Sequence, residues 1–406
     1  MANDLLSVDE ALARLLAGAR PTGEVETIPT LRATGRVLAR PQVSALNVPP
    51  LDNTSMDGYA VRAADCASGE ARLRIAQRIP AGAVGKALAP GTAARIFTGA
   101  PIPPGADAVV PQEQCTVEGD HVVIEHKPQP GDWIRRAGED IRAGATILEG
   151  GTRLRAQEIG LAASVGLGDL PVHRKLRAAL FSTGNELVMP GEPLPDGAIY
   201  NSNRFTLTGL LRMLGCDVED LGIVPDTLAA TREALRKAAG ASDVIVTCGG
   251  VSVGEEDYVK PAVDAEGRLD LWRIGMKPGR PFAYGAVRRG DGTEASFIGL
   301  PGNPVSSFVT FVLFVRPFLL RCQGATRLEP QSYVLRADFD WPKPDARREF
   351  LRVRLNASGG LDLFPNQSSG VLTSTVWGDG LLDNPPKQTI KRGDAVRFLP
   401  FSELLT

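Results

Sequence analysis

The 406-residue chain carries only three histidines, His121, His126 and His173, so a His-ligated zinc site or a Ser-His-Asp triad has almost no material. Its five cysteines, Cys66, Cys115, Cys216, Cys248 and Cys322, lie far apart with no CxxC pair. That pattern fits reduced thiols in a cytosolic protein, not a disulfide framework. Neither sign of charge dominates: 45 basic against 47 acidic residues leave a net charge of -2. Broad nucleic-acid binding, which needs a basic footprint, is thereby disfavoured. The N-terminus lacks a cationic segment followed by an apolar run, so no signal peptide is visible. The longest apolar stretch, Val305 to Leu320, is short for a bilayer and contains Arg316 and Pro317, so it reads as a buried helix. The expectation is a cytoplasmic protein with no membrane or nucleic-acid partner. Its chemistry falls to carboxylates, lysines, arginines, hydroxyls and backbone amides.

What is present is an uneven distribution of 44 glycines and 31 prolines that marks seams. Domains of ~100–200 residues predict two to four units in a chain of this length. Ser7-Val8-Asp9-Glu10 reads as a capping box ahead of a helix over Ala11 to Ala17, with Leu12, Leu15 and Leu16 on one face. From Leu51 to about Arg142, short β-prone runs separated by Gly/Pro turns predict a small β-rich domain. Gly144 to Val172 returns to the first region, with a helix around Ala156 to Ser164. Beyond Leu176, strands at 176–181, 218–224, 244–247 and 297–300 alternate with helices at 203–214, 228–239 and from Pro304. This alternation predicts a parallel sheet covered on both faces. From about Glu329 the pattern returns to β-like alternation, as in Phe350 to Leu355, and predicts a small barrel.

Three of the predicted strands end in unusual loops: Ser182 to Leu187, Cys248 to Tyr258, and Pro301 to Ser306. Ligands of open α/β sheets sit outside the carboxyl ends of the strands. Glycines such as Gly249 and Gly250 let the backbone approach an anion, and a following helix start offers unpaired N–H groups to it. Each loop singly reads as a tight turn; three on one edge, with donors such as Ser252, Asn303 and Ser306, point to a phosphate or oxyanion site. Glu186, Asp226 and Asp257 crowd the same edge. Acids beside a phosphate need a hard cation between them, and Mg²⁺ suits that role. Arg273, Lys277 and Arg280, broken by Pro278-Gly279, read as basic clamps held in a turn. Asp52 to Tyr59, Thr98 to Pro101 and Gly138 to Ile141 are further polar clusters, each an Asx-type turn on its own.

The strings DNTSMDGYAV at 52–61, TGAPIPPGADAVVPQEQ at 98–114, RRAGEDI at 135–141, STGNEL at 182–187, CGGVSVGEEDY at 248–258, KPGRPFAYG at 277–285 and GLPGNPVSS at 299–307 follow one another in order. In order and spacing they resemble the molybdopterin molybdenumtransferases, which include the bacterial MoeA-type enzymes and the E domain of gephyrin. The resemblance covers essentially the whole chain. It implies a multidomain α/β plus β architecture: an elongated N-terminal domain (1–50 and 143–172), an inserted β-rich domain (51–142), a molybdopterin-binding three-layer α/β domain (173–327) and a C-terminal β-barrel (328–406). It also implies a homodimer in which Asp57, Thr98 and Asp140 of one subunit meet the sheet edge of the other. The implied reaction inserts molybdate into adenylylated molybdopterin with Mg²⁺-assisted release of AMP, downstream of a molybdopterin adenylyltransferase partner.

By the same resemblance Glu186, Asp226, Asp257, Arg273 and Lys277 take catalytic positions, the three acids as Mg²⁺ ligands. Gly249, Gly250, Ser252, Arg280, Pro301, Asn303 and Ser306 bind substrate, and Arg352 and Ser369 line the cleft from the fourth domain. Asn185 stands where many members carry Asp, and Arg273 and Arg280 replace lysines common in bacterial members. Two rival functions remain: the adenylyltransferase sharing the α/β domain, which lacks the long N-terminal half, and a gephyrin-like scaffold.

Overall fold

The computed structural model describes residues 5–250 and 258–405, with only the backbone of Leu271. Ser252 and Asp257 lie outside the described residues. The chain opens with Leu5–Leu6, then a helix over Val8–Gly18. Ser7 caps it: its hydroxyl accepts from Glu10 N at 3.2 Å while the Glu10 carboxylate accepts from Ser7 N at 3.0 Å. Val8, Ala11 and Leu15 form the buried face, with Leu12 half-buried beside them. They join the large core that also holds Phe282, Phe314 and Phe318. The first helix therefore packs on the α/β layer, although the sequence-based division groups residues 1–50 with the elongated unit.

In that elongated unit Val25–Pro29 pairs antiparallel with Asp169–His173, and Gln42–Val43 with Thr146–Leu148. Helix Ala156–Ser164 covers them over a small core of Leu38, Leu148, Leu154, Leu170 and Val172. Between the two halves runs a six-stranded sheet in the order Ala108–Pro111, Gly58–Val61, Thr92–Ile96, Ala71–Ile79, His121–Ile124 and Cys115–Glu118. Apolar residues of both faces are buried, one set around Leu73 and Val110, the other around Ile79 and Ile96.

The seven-stranded sheet runs in the order Leu5–Leu6, Gly267–Ile274, Pro281–Arg288, Glu294–Leu300, Val244–Cys248, Arg177–Thr183 and Asp217–Val224. The last four are mutually parallel, as their alternation with helices predicts. Pro281–Arg288, in contrast, is antiparallel to both of its neighbours, Gly267–Ile274 and Glu294–Leu300, so the sheet is mixed. The connections decide this: residues 275–280 and 289–293 are too short for a parallel crossover, which needs about a dozen residues or more. Helices Ser202–Met213 and Pro304–Thr310 lie over one face, Leu228–Ala241 and Val259–Glu266 over the other, giving three layers.

The apolar run becomes one continuous helix from Pro304 to Cys322, with 89% of its most apolar window buried inside the protein. It widens to a π-turn over Phe311–Val315, just before Pro317, which has no N–H to give a regular ladder. At its centre Phe314 and Trp272 flank Phe282, with ring centroids 5.6 and 5.9 Å away.

The C-terminal strands order as Met276–Lys277, Arg348–Leu355, Gly380–Asn384, Ala395–Pro400 and Tyr333–Arg336, with Leu361–Leu363 paired to Arg348–Leu355. An Ala337–Leu361 bridge brings the last strand back to Leu361–Leu363 and closes the barrel. Met276–Lys277 comes from the α/β domain, so one short parallel ladder joins the two units.

Candidate active site

A cleft of about 1100 Å³ opens at the carboxyl ends of the four parallel strands, the edge where such sheets bind ligands. Strand order sets its polarity. At one end Glu186 follows Arg177–Thr183 and Asp226 follows Asp217–Val224. At the other, Lys277 and Arg280 flank the turn before Pro281–Arg288, and Arg347 enters from the barrel. The glycine-rich loops lie between: Gly249 and Gly250 after Val244–Cys248, and Pro301 to Pro304 after Glu294–Leu300. Acids and cations thus occupy opposite ends of one cleft.

The glycines are required by packing as well as by ligand approach. Gly249 has φ +92°, and a Cβ there would sit 2.8 Å from the Thr183 carbonyl oxygen; at Gly250 it would sit 2.4 Å from Val259. Gly184 has φ +146°, and its Cβ would meet the Glu186 carboxylate at 2.6 Å. Gly184→Ala should therefore cost about 1–3 kcal/mol through backbone strain and push the Glu186 carboxylate aside. Gly302→Ala is the control: its Cβ approaches nothing closer than Gly249 Cα at 4.0 Å. The control should stay within about 0.5 kcal/mol in denaturant unfolding.

The floor is polar and partly unsatisfied. Asn201 caps helix Ser202–Met213, its Oδ1 accepting from Arg204 N at 3.2 Å. Its Nδ2 and the Ser182 hydroxyl are buried beneath the cleft without a hydrogen-bond partner among the described residues. Asn203 ties two strand ends together, donating to Gly302 O at 2.6 Å and to Cys248 Sγ at 3.0 Å. Burial pushes the Cys248 thiol above its ordinary range, so it is a packed donor to Pro301 O and not a thiolate. Asn303 precedes the long helix without capping it through its side chain, and Ser306 lines the cleft one turn in.

The barrel supplies the remaining wall, Arg347 and Gln367 to Gly370. Val305 N donates to Ser369 O at 3.0 Å, fastening this loop to the helix start. Arg347 grips Asp345 with both guanidinium ends at 2.9 Å, which holds the Asp345 carboxyl well below the usual range.

Several sequence-predicted site residues lie elsewhere. Arg352 is 1% exposed and does not line the cleft. Its guanidinium donates to Ser374 Oγ, Phe350 O and Ser368 O, so it braces the cleft wall from behind. Arg273 is exposed at the end of Gly267–Ile274, paired with Leu5, and also lies outside the cleft lining. The expected basic turn is therefore a strand end followed by a short ladder, which brings Lys277 and Arg280 to the site but not Arg273. Asp57 accepts from Thr98 N at 2.8 Å and Thr98 Oγ1 at 2.6 Å, and these bonds lower its carboxyl pKa. Asp140 lines a separate surface cleft between Gly138 and Leu161. None of these three lines the α/β cleft of its own chain. Sequence reasoning missed Arg347, Gln367 and Asn201 as cleft groups. The Arg347-Arg348-Glu349 cluster ahead of a predicted strand was the available signal for the first.

Comparison with known proteins agrees with this layout. Residues 6–166 match the MoeA N-terminal region (domain I and II), 179–321 a probable molybdopterin binding domain, and 334–401 the MoeA C-terminal region (domain IV). A molybdopterin molybdenumtransferase from Haemophilus influenzae is 36% identical over 412 residues, covering 99% of this chain and 100% of that protein. Molybdopterin molybdenumtransferase 2 of Mycobacterium tuberculosis is 38% identical, covering 92% and 93%. The crystal structure of the molybdopterin biosynthesis moeA protein from Pyrococcus horikoshii superposes with a TM-score of 0.84 at 30% identity, covering 98% of this chain and 100% of that one. With the whole chain matched in sequence and in fold, the protein belongs to the family of the molybdopterin molybdenumtransferases.

Proposed function

We propose that this chain inserts molybdate into adenylylated molybdopterin with release of AMP, as a cytoplasmic homodimer supplied by a molybdopterin adenylyltransferase. The observation that carries the reading is the two-ended cleft: Lys277, Arg280 and Arg347 at one end, Glu186 and Asp226 at the other. The cationic end takes oxyanion oxygens, with Ser369 beside it. The helix start at Pro304 and the unpartnered donors Ser182 and Asn201 take phosphate or pterin acceptors.

Glu186 and Asp226 are hard oxygen donors in one cleft, the set that suits Mg²⁺. Among the described residues no three His, Cys, Asp or Glu side chains gather into a complete metal site. A magnesium ion held there would share its coordination with substrate phosphate, since Mg²⁺ uses few protein carboxylates. When bound, it supplies neutralisation of the phosphate charge. The chain's own acids also orient water and accept its proton. Cys66, Cys216, Cys248 and Cys322 are buried and Cys115 is half-buried; in this reading the sulfurs of the substrate, not protein thiols, hold the molybdenum.

Asp57, Thr98 and Asp140 complete the cleft of a second subunit in this account. Mixing tests it. Asp57→Asn and Glu186→Gln are each expected to be inactive alone. Co-refolded in equal amounts, they should recover about a quarter of wild-type turnover, because half the dimers are mixed and each mixed dimer has one intact cleft. A cleft built within one chain would give no recovery.

A further inference from the structure

One buried charge has no part in the site so far described. Glu349 is 0% exposed, inside the barrel at the second position of Arg348–Leu355. Its Oε2 accepts from Trp341 Nε1 at 2.8 Å and from Asn384 Nδ2 at 3.3 Å. Its Oε1 has no hydrogen-bond partner among the described residues and lies 3.6 Å from Lys277 Nζ. Among the described residues Lys277 is the one cation ion-paired to it. Backbone register sets up the pair, since Lys277 and Glu349 face each other directly in the short parallel ladder joining the two domains.

A carboxylate removed from water is strongly unfavourable unless an opposite charge answers it. A brace for Trp341 and Asn384 alone would need only a neutral acceptor, which Gln provides at the same length. What the charge adds is a fixed electrostatic anchor for a long, flexible ammonium that lines the cleft with 41% of its side chain exposed. The other acid near Lys277, Asp345 at 3.4 Å, is already occupied by Arg347. We propose that Glu349 is a positioning residue: from behind the cleft wall it holds the Lys277 ammonium at the oxyanion end.

This inference rests on the oxyanion reading of that end, and a double-mutant cycle on molybdate binding separates the two. Molybdate affinity is measured by calorimetry on the full-length protein, for wild type, Glu349→Gln, Lys277→Met and the double variant. Glu349→Gln is expected to raise Kd about 10-fold, with the thermal midpoint within about 2 °C. Added to Lys277→Met it should change Kd by less than about twofold, because the ion pair through which it acts on the ligand is then gone. Effects that multiply would overturn the proposal, as would an unchanged Kd in Glu349→Gln or a wild type that does not bind molybdate. Should Lys277→Met fail to fold, Glu349→Gln decides alone: the rise in Kd at unchanged midpoint supports positioning, and an unchanged Kd rejects it. In turnover assays the same variant should raise the KM for molybdate with kcat held within about twofold. A wild type that binds molybdate yet releases no AMP from adenylylated molybdopterin defeats the functional reading and leaves this inference standing.

Discussion

Glu186→Gln is expected to lower molybdate-dependent turnover by about 10²–10⁴-fold while leaving the fold intact. Glu186 lies on the turn after Arg177–Thr183, where its backbone oxygen accepts from Ile199 N at 2.8 Å. That bond is unchanged by substitution. Its carboxylate lies over Gly184 at the acidic end of the cleft, where a cation or a water beside phosphate needs charge and basicity. The amide keeps shape and volume but removes both. Since the stabilising contacts of this loop are made by backbone, the midpoint of thermal unfolding should move by no more than about 2 °C. Turnover kinetics beside calorimetric unfolding check the split; a parallel fall in both would mean that Glu186 holds the loop together.

Arg352→Met is expected to reduce turnover by about 100-fold for a different reason. Burial lowers the Arg352 guanidinium pKa to about 10, so it stays charged at neutral pH behind the cleft. Its donation to Ser368 O at 3.3 Å, and the pair of bonds between its backbone and the Gln367 amide at 2.9 and 3.0 Å, fix the wall loop. That loop is in turn fastened to the long helix through Ser369 O. Methionine fills similar space but gives no donors, so the loop loses its side-chain anchor at Ser368 O and keeps the backbone bonds to Gln367 and the tie through Ser369 O. Misplacement by an ångström is enough for a loss of this order. Stability should fall by about 1–3 kcal/mol from the carbonyl groups left short of partners. Arg352→Ala adds a cavity and should cost about 3–5 kcal/mol. Denaturant unfolding of the two variants separates the terms, and a Met variant with normal turnover would remove Arg352 from the account.

The contrast between these residues shows what was legible in the sequence. Glu186, Asp226 and the glycine loops stand at strand ends, where short apolar runs stop and polar residues begin, so periodicity places them on one edge. The Ser7–Glu10 capping box is readable because it is local. The antiparallel pair Gly267–Ile274 and Pro281–Arg288 was missed even though Arg268-Leu269-Asp270 alternates. The charge spacing of Arg273, Lys277 and Arg280 reads first as a turn, and only pairing partners reveal two strands. Burial of Glu349 and Arg352 was illegible for a physical reason. Arg347 to Arg352 reads as a charged strand with a wet face, because ionised side chains are rarely buried fully unless paired. Their partners, Lys277, Trp341, Asn384 and Ser374, come from four separate segments, and no local pattern announces such a meeting.

The central claim is that the cleft couples an oxyanion to release of a nucleotide. The direct measurement supplies purified protein with adenylylated molybdopterin and Mg²⁺ and follows AMP before and after molybdate is added. The account predicts that AMP release begins on addition of molybdate and that the product activates an apo-molybdoenzyme. AMP release indifferent to molybdate, or adenylylation of free molybdopterin from ATP in its place, would contradict it.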